Sequence, residues 1–457
     1  MLRALKTCGA SSAEGSRPAE GRLLAGGLFP WIQPIMDGVN LEAVKQKLSS
    51  AGKYVLTFFK WFALAAVTGA VGGVVGALFH LSVEYATGVR KAHPWVIFLL
   101  PVGGLAIAGL YKLSGKKDVG TNEILDAVRS PQGVPAVLAP LIFVSTVITH
   151  LFGGSAGREG AALQLGGSIA GLIGKLARLD EKDMHIMTMC GMSAVFSALF
   201  GTPITAAVFA LGVISVGVIY YAGLLPCVVS AFVAYFISVL MGTEPVAFTI
   251  AGVPAFSPKA CLLTAMLAAL CALLSIVFCL CLHGTHKLFE KYLKNTFLRA
   301  AVGGLIIVGL SMIFRSGDYN GAGMDIVERA INGEARPEAF IMKLIFTAIT
   351  VGAGYKGGEI VPTFFVGATF GCVVGGLIGL DPGFAAAVGL VSLFCGVVNC
   401  PLASIFLSIE IFGAEGMPLF ALAAAVSYLL SGYYGLYSSQ KIVYSKLRAE
   451  LINVNAK

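Results

Sequence analysis

The sequence predicts an all-α polytopic membrane protein, and three observations carry that prediction. The 457-residue chain is 57% hydrophobic and only 12% charged, with a mean hydropathy of +0.85, whereas soluble domains carry roughly a quarter charged residues. Apolar runs of bilayer-spanning length, on the order of 20 residues, recur along the chain, for example at 62–82, 260–281 and 383–409. A bilayer core offers no water to backbone groups, so such runs form helices or a closed barrel. They lack the strict alternation of barrel strands, which leaves helices.

Residues 1–50 differ from the rest. Their start, MLRALKTCGASSAEGSRPAEGRLLAGG, is small, polar and Arg-containing, without an apolar signal core. It reads as a disordered tail or as an over-extended start ahead of Met36, with a transit peptide as the third reading. A transmembrane domain is expected over 51–450, with no soluble domain after the last span. It holds roughly ten to twelve apolar segments of spanning character, many broken by Gly or Pro. The 57 glycines include Gly69, Gly73 and Gly76, a small-residue spacing that suits closely packed membrane helices. The interruptions predict discontinuous helices.

A repeat is visible in two stretches. GMSAVFSALFGTPITAAVFAL (191–211) parallels GLVSLFCGVVNCPLASIFLSI (389–409), aligning Gly191 with Gly389, Phe196 with Phe394 and Pro203 with Pro401. Upstream of each lies a glycine-bracketed glutamate, in GGSAGREGAALQLGG (153–167) and GYKGGEIVPTFFVGATFG (354–371). Weak internal symmetry with broken helices in both halves marks transporters whose ion site lies where the repeats meet. The halves are expected at about 55–240 and 260–450.

The net charge of +8 is no nucleic-acid footprint. Basic residues such as Lys45, Lys53, Lys175, Arg178, Lys287, Lys291, Lys441 and Lys446 fall in short hydrophilic connections. That is the positive-inside pattern of cytoplasmic loops, and it puts both termini in the cytoplasm. The ten cysteines are scattered without a CxxC pair, which fits small apolar residues better than disulfides or metal ligands. No cofactor is expected.

A small anion crossing hydrocarbon must exchange its water for donors that hold it only loosely. Backbone N–H groups at helix starts meet that need, and glycines ahead of the helix let the ion approach. GSAGREG and KGGEIVP both read as such starts, with Pro362 near a first turn where its missing N–H is harmless. A glutamate there can take the ion's place when ionised, and can swing away with a proton when protonated. Glu159 is therefore the candidate gate and proton carrier, against the plainer reading of a permanent pair with Arg158. Glu359 is a second candidate, against a pair with Lys356 one turn away.

GREG with its glycine-ended run, the later GGExxP and the tyrosine of KIVYSKL together resemble the CLC family of chloride channels and anion/proton antiporters, over most of 55–450. The resemblance implies a CLC-type inverted repeat, a pore in each subunit and a homodimer in the plasma membrane, carrying halide anions and protons. It implies that Glu159 is the external gate, and that Tyr444 donates to the central anion. It also places anion contacts at Val119, Gly120, Thr121, Asn122, Gly157, Arg158, Gly160, Ile360 and Val361. Glu410, in IFLSIEIFG, is expected to be structural.

Three departures from the family pattern matter. The family's GSGIP corresponds to DVGTNEILDA (118–127), which puts Val119 at the serine and Asn122 at the proline. The internal proton glutamate corresponds to about Val213 in ALGVIS, and the usual GxFxP becomes GEIVP with Glu359. Together these resemble the fluoride/proton antiporter branch, although Val361 stands where that branch implies threonine. Fluoride is small and accepts hydrogen bonds avidly, so a protonated glutamate can donate to it. Chloride transport, by a channel or a chloride/proton antiporter of the voltage-gated chloride channel family, is the alternative. An enzyme is not expected: Ser155 in GGSAG has no matched histidine, and His283 and His286 read as solvated residues at a helix end.

Overall fold

The computed structural model describes residues 41–115, 120–129 and 134–457, with the side chains of 41–48 left aside. The expectations for Met36, for most of the tail and for Val119 lie outside the described residues. The chain divides into two units, Met1–Phe59 and Lys60–Lys457. The described part of the first, 41–59, is helical.

Among the described residues sixteen α-helices follow one another. Eight lie before residue 241: α1 (Leu41–Ala92), α2 (Leu100–Leu113), α3 (Thr121–Arg129), α4 (Leu138–Phe152), α5 (Glu159–Leu176), α6 (Glu181–Phe200), α7 (Pro203–Gly212) and α8 (Leu224–Leu240). Eight follow: α9 (Pro258–Tyr292), α10 (Thr296–Phe314), α11 (Met324–Ile331), α12 (Ala339–Gly352), α13 (Ile360–Leu377), α14 (Pro382–Val398), α15 (Pro401–Phe412) and α16 (Met417–Leu430). The two sets match in order. Each opens on a long helix and has a short third one, of 9 and 8 residues. Each also has an 18-residue fifth helix that begins at the glycine-bracketed glutamate, Glu159, or directly after it, with Glu359 as N-cap. The repeated order of helices in a polytopic α-helical membrane protein is what the expected repeat requires.

Among the described residues seven segments are long and apolar enough to span a bilayer. Helices such as α7, with 10 residues, reach only about 15 Å at 1.5 Å per residue, half of a ~30 Å hydrocarbon core. The helix count therefore exceeds the ten to twelve apolar segments expected. The run 383–409 shows why. It is one stretch by hydropathy, yet it breaks at Asn399, whose φ of 57° is left-handed, and Pro401 restarts it as α15. The first half does the same with Gly201, at φ 71°, and Pro203.

Local chemistry repeats as well. The Asp180 carboxylate accepts from Asp183 N at the start of α6, and the Asp381 carboxylate from Phe384 N at the start of α14, each an N-cap. Gly191 of α6 crosses Gly166 of α5, and Gly389 of α14 crosses Gly367 of α13, so closely that a Cβ at either position would strike the facing carbonyl. Between the halves, Phe196, Phe200, Phe364, Phe394 and Phe209 form a closed ring of buried aromatics, with successive centroids 4.9–5.9 Å apart. Outside this core, Leu262, Leu273, Leu280, Leu305 and Ile313 stand exposed on α9 and α10, a surface suited to lipid.

Helices are not the whole structure. Strands β1 (Ser215–Val216), β2 (Lys441–Tyr444) and β3 (Leu451–Asn455) form a small sheet in that order, β1 parallel and β2–β3 antiparallel. It joins the connection between α7 and α8 to the end of the chain.

Gly191→Leu is expected to lower the thermal unfolding midpoint of the detergent-solubilised protein, because overpacking costs about 1–3 kcal/mol. Gly284→Leu is the control, since a Cβ there meets nothing within 4 Å, and it should leave the midpoint unchanged or higher. Equal midpoints for the two variants would refute the close crossing.

Candidate functional site

The two glycine-bracketed stretches are helix starts, and they meet. Gly157 N donates to Gly358 O at 2.6 Å, and Gly358 N returns the bond to Gly157 O at 2.7 Å, an isolated antiparallel bridge. It sets the first turns of α5 and α13 against each other. Only glycine fits this contact. A Cβ on Gly358 would lie 2.9 Å from Glu159 N and closer still to Gly160 N.

Glu159 lies fully buried at this junction. Its Oε2 accepts from Arg158 N at 2.9 Å and from Val361 N, on the opposing helix, at 3.3 Å. The carboxylate thus holds donors from both helix starts. Its Oε1 accepts no hydrogen bond among the described residues. Arg158 Nε lies 3.9 Å from that oxygen, while Arg158 Nη2 reaches toward Leu199 O at 3.5 Å.

A second carboxylate comes from the other helix start. Glu359 is the N-cap residue of α13, and its Oε2 is enclosed without a hydrogen-bond partner among the described residues. Gly160 marks where the groups converge: a Cβ there would lie 3.1 Å from Thr121 Oγ1 and 3.3 Å from Glu359 Oε2. Thr121 is buried, faces Gly160 O at 3.5 Å and accepts from Gln164 Nε2 at 3.4 Å. Lys356 Nζ lies over the Tyr111 ring, 4.6 Å from its centroid.

Other expected residues do different work. Gly120 N donates to the Glu123 carboxylate at 2.7 Å, a local cap, and Gly157 N is committed to the bridge. Asn122 Oδ1 accepts from Ser439 N at 3.1 Å, so it holds the late loop instead of facing the junction. Ile360 is buried in the first turn of α13. Val213 is buried too, and its carbonyl accepts from Gln440 Nε2.

Tyr444 is not the tyrosine at the centre. It is 46% exposed on β2, beside Gly217. Tyr437 is buried instead, with a hydroxyl that has no hydrogen-bond partner among the described residues. It stands within electrostatic reach of both Glu359 and Glu159. The β-branched pair Ile442–Val443 is a weak strand signal that does not by itself decide between the two tyrosines.

The loop carrying Tyr437 is pinned from both halves. Gln440 Nε2 donates to Val213 O at 2.9 Å and Val398 O at 2.8 Å, and Asn399 Nδ2 to Gln440 Oε1 at 3.0 Å. Ser439 Oγ donates to Asp126 at 2.6 Å, and Arg129 to Ser439 O. His283 joins them through Nε2, 3.1 Å from Leu436 O. It is therefore a partly buried strut and not the solvated residue expected, whereas His286 pairs with Glu290 at 3.3 Å. Ser155, with its hydroxyl 3.1 Å from Thr347 Oγ1, belongs to packing.

On one side, a cavity of about 710 Å³ reaches Glu159. His80, Glu84, Arg90, His150 and Arg158 are in its lining, with Val361 and Glu159 at the junction end. His150 is buried, and its Nε2 donates to Gly157 O at 3.3 Å.

Comparison with known proteins agrees with this architecture. The family described as Voltage gated chloride channel matches residues 103–432. The chain is 36% identical over 395 residues to a "Chloride/fluoride channel protein" of Pseudomonas syringae pv. tomato (strain ATCC BAA-871 / DC3000), covering 85% of this chain and 87% of that protein. It is 22% identical to the "H(+)/Cl(-) exchange transporter ClcA" of Vibrio vulnificus (strain YJ016), over 83% and 87% of the two chains. Among solved structures, a CLC-type fluoride/proton antiporter superposes with a TM-score of 0.80 at 30% identity, covering 84% of this chain and 98% of that one. A slow cyanobacterial Cl-/H+ antiporter shares the fold, with a TM-score of 0.68 at 18% identity over 81% and 94%.

Glu410 sits apart from the junction. Its two oxygens accept from Ile204 N at 2.9 Å and Thr205 N at 2.8 Å, capping α7 from α15. Glu410→Ala strips those amides of acceptors and is expected to cost about 1–3 kcal/mol of stability, read as a lower unfolding midpoint. Glu410→Gln, which keeps one acceptor, should recover part of the loss. An unchanged midpoint for Glu410→Ala would show that the cap contributes nothing.

Proposed function

We propose that this chain, which belongs to the voltage gated chloride channel family, exchanges fluoride for protons across a membrane. The observation that supports it most is the pair of carboxylates, Glu159 and Glu359, presented by two opposing helix starts beside Gly160 and Tyr437. Similarity to a fluoride/proton antiporter and to a chloride/fluoride channel protein points the same way.

The geometry supports the following cycle. Ionised, Glu159 occupies the Arg158 and Val361 amides and blocks the route. Protonation removes its charge, weakens both hydrogen bonds and lets the side chain leave toward the cavity with its proton. An anion then takes the vacated amides, where the two helix N-termini favour negative charge. Deprotonation returns the carboxylate and expels the ion. Glu359, once protonated, donates to the small anion from its enclosed oxygen, and Tyr437 donates from the loop side. A charged group in this setting is expensive, so both acids work by changing protonation.

Thr121, Gly160, Ile360 and Val361 belong to the anion's surroundings in this reading. Gly157 and Asn122 hold the backbone that shapes them, and Tyr437 takes the role expected of Tyr444. The protein acts as a transporter and not as an enzyme, as a homodimer in the plasma membrane with both termini in the cytoplasm. One observation favours chloride as the second reading: Val361 offers no hydroxyl at the junction.

The deciding measurement uses purified protein in liposomes loaded with fluoride or chloride, with efflux started by a potassium ionophore while ion and pH electrodes record together. Fluoride efflux well above chloride, with proton uptake, is expected; comparable chloride efflux would overturn the fluoride reading. Glu159→Gln should abolish proton uptake, and Glu359→Ala should reduce the preference for fluoride. Tyr437→Phe is expected to weaken anion binding roughly 10- to 100-fold, the effect of a hydrogen bond to a charged group. Tyr444→Phe should leave binding unchanged.

A further inference from the structure

Charges wall the cavity that ends on Glu159, and most of them are matched. Lys91 meets Asp325 at 3.3 Å, and Asp318 is met by Arg329 at 3.5 Å and Arg336 at 3.7 Å. Arg158 Nε lies 3.9 Å from Glu159 Oε1. Glu84, 69% exposed, faces the His80 ring at 3.5 Å. Arg90, in the last turn of α1, lines the same cavity and is left over. Among the described residues no ion pair or hydrogen bond holds it.

A second cation stands close by. Lys343, on α12, is fully buried. Its ammonium donates to Tyr319 O at 3.3 Å and to Gly321 O at 2.6 Å, and lies 5.1 Å from the centroid of the Phe365 ring. Carbonyls and a ring face thus stand where a buried lysine would ordinarily have a carboxylate. Arg90 comes to the same turn: a Cβ on Gly321 would lie 2.7 Å from its Nη2. The two cations act on each other, and Asp325 acts on both, but Lys91 already holds that carboxylate. Like charges gathered at one turn repel, and a buried cation without a carboxylate costs free energy. A negative charge held beside Arg90 relieves both.

We propose that Arg90 is the contact residue of a waiting site for a small halide, held in this cavity between solution and the Arg158 and Val361 amides. The proposal rests on the anion-transport reading. A guanidinium is weakly hydrated and offers planar donors, so it can hold an anion that has kept part of its water. Lys343 adds its charge without touching the ion. Gly323 and Met324 line the cavity as well, which brings the positive end of α11 to the same space. Glu84 and Asp325 oppose tight holding, and an ion held loosely is free to move on. None of these groups separates one halide from another, so the choice of anion stays with the junction.

The test follows initial fluoride efflux against loaded fluoride for wild type, Arg90→Gln and Arg90→Lys, at an ionic strength of about 0.1 M set with gluconate. Liposomes hold the protein in both orientations, so only part of it takes fluoride up through the cavity. Arg90→Gln should leave one component of the curve as in wild type. The half-saturating fluoride of the other should rise roughly tenfold, the low end of what a charge-lined cleft adds to local ion concentration. Arg90→Lys keeps the charge and should stay close to wild type. At about 1 M ionic strength, where the screening length falls from about 10 Å to about 3 Å, all three curves should converge. Half-saturation does not depend on how much protein folds, so a poorly folding variant still gives a reading. Unchanged half-saturation in Arg90→Gln would overturn the site. So would a shift that Arg90→Lys shares and high ionic strength does not relieve, which would make Arg90 a packing residue against Gly153 and Gly321. Wild type that moves no anion would instead sink the transport reading, and the waiting site with it.

Discussion

The two hydrogen bonds between Gly157 and Gly358 are the constraint on which the site depends. They press together the N-termini of α5 and α13, ends that carry like partial charge of about half an elementary charge each. Such an approach is unfavourable unless something negative stands between them. Glu159 supplies it, accepting from one amide of each stretch. The reverse also holds. A buried carboxylate costs several kcal/mol in lost hydration, and here two amides and the Arg158 guanidinium at 3.9 Å offset that cost. Bridge and carboxylate stabilise each other. An arrangement that needs an anion but not a particular anion is one in which a side chain and an ion can trade places.

Three glutamates in apolar surroundings show how partners decide a role. Glu410 has both oxygens on amides of α7, and a group held at both ends stays put. Glu159 has one oxygen on two amides and the other without a hydrogen bond, at the end of a cavity. It can leave by breaking one set of contacts. Glu359 encloses an oxygen with no hydrogen-bond partner, a group waiting for a proton or a ligand. The family resemblance had already set Glu410 apart as structural and Glu159 as the expected gate, and the contacts add the partners of each.

Around this centre the fold is stiff where function needs position. The ring of five phenylalanines joins α6, α7, α13 and α14 and packs the halves without polar groups that would need partners. The loop with Tyr437 lacks helical hydrogen bonds, so side chains supply them: Gln440, Asn399, Asp126 and Arg129 tie it to helix ends in both halves. A phenol held this way has its hydroxyl aimed by the tertiary structure and not by its neighbours in sequence.

By itself the sequence determined the class and the repeat and singled out two glutamates as candidates, because each rests on local physics: apolar length, the punctuation of Gly and Pro, and a carboxylate flanked by glycines at a helix start. The break at Asn399 was beyond it, since hydropathy is blind to a left-handed residue inside an apolar run. Choosing between Tyr437 and Tyr444, seven residues apart, was beyond it as well. Only the packing of the chain's end against α3, α7 and α14 buries one and leaves the other on a strand. Asn122 likewise looked like an anion contact, until the fold brought Ser439 N within 3.1 Å of it. Arg90 sat unnoticed at the end of α1, because its neighbours Gly321 and Lys343 come from the other half of the chain. What depends on neighbours along the chain could be read; what depends on contacts across the two halves had to wait for the tertiary structure.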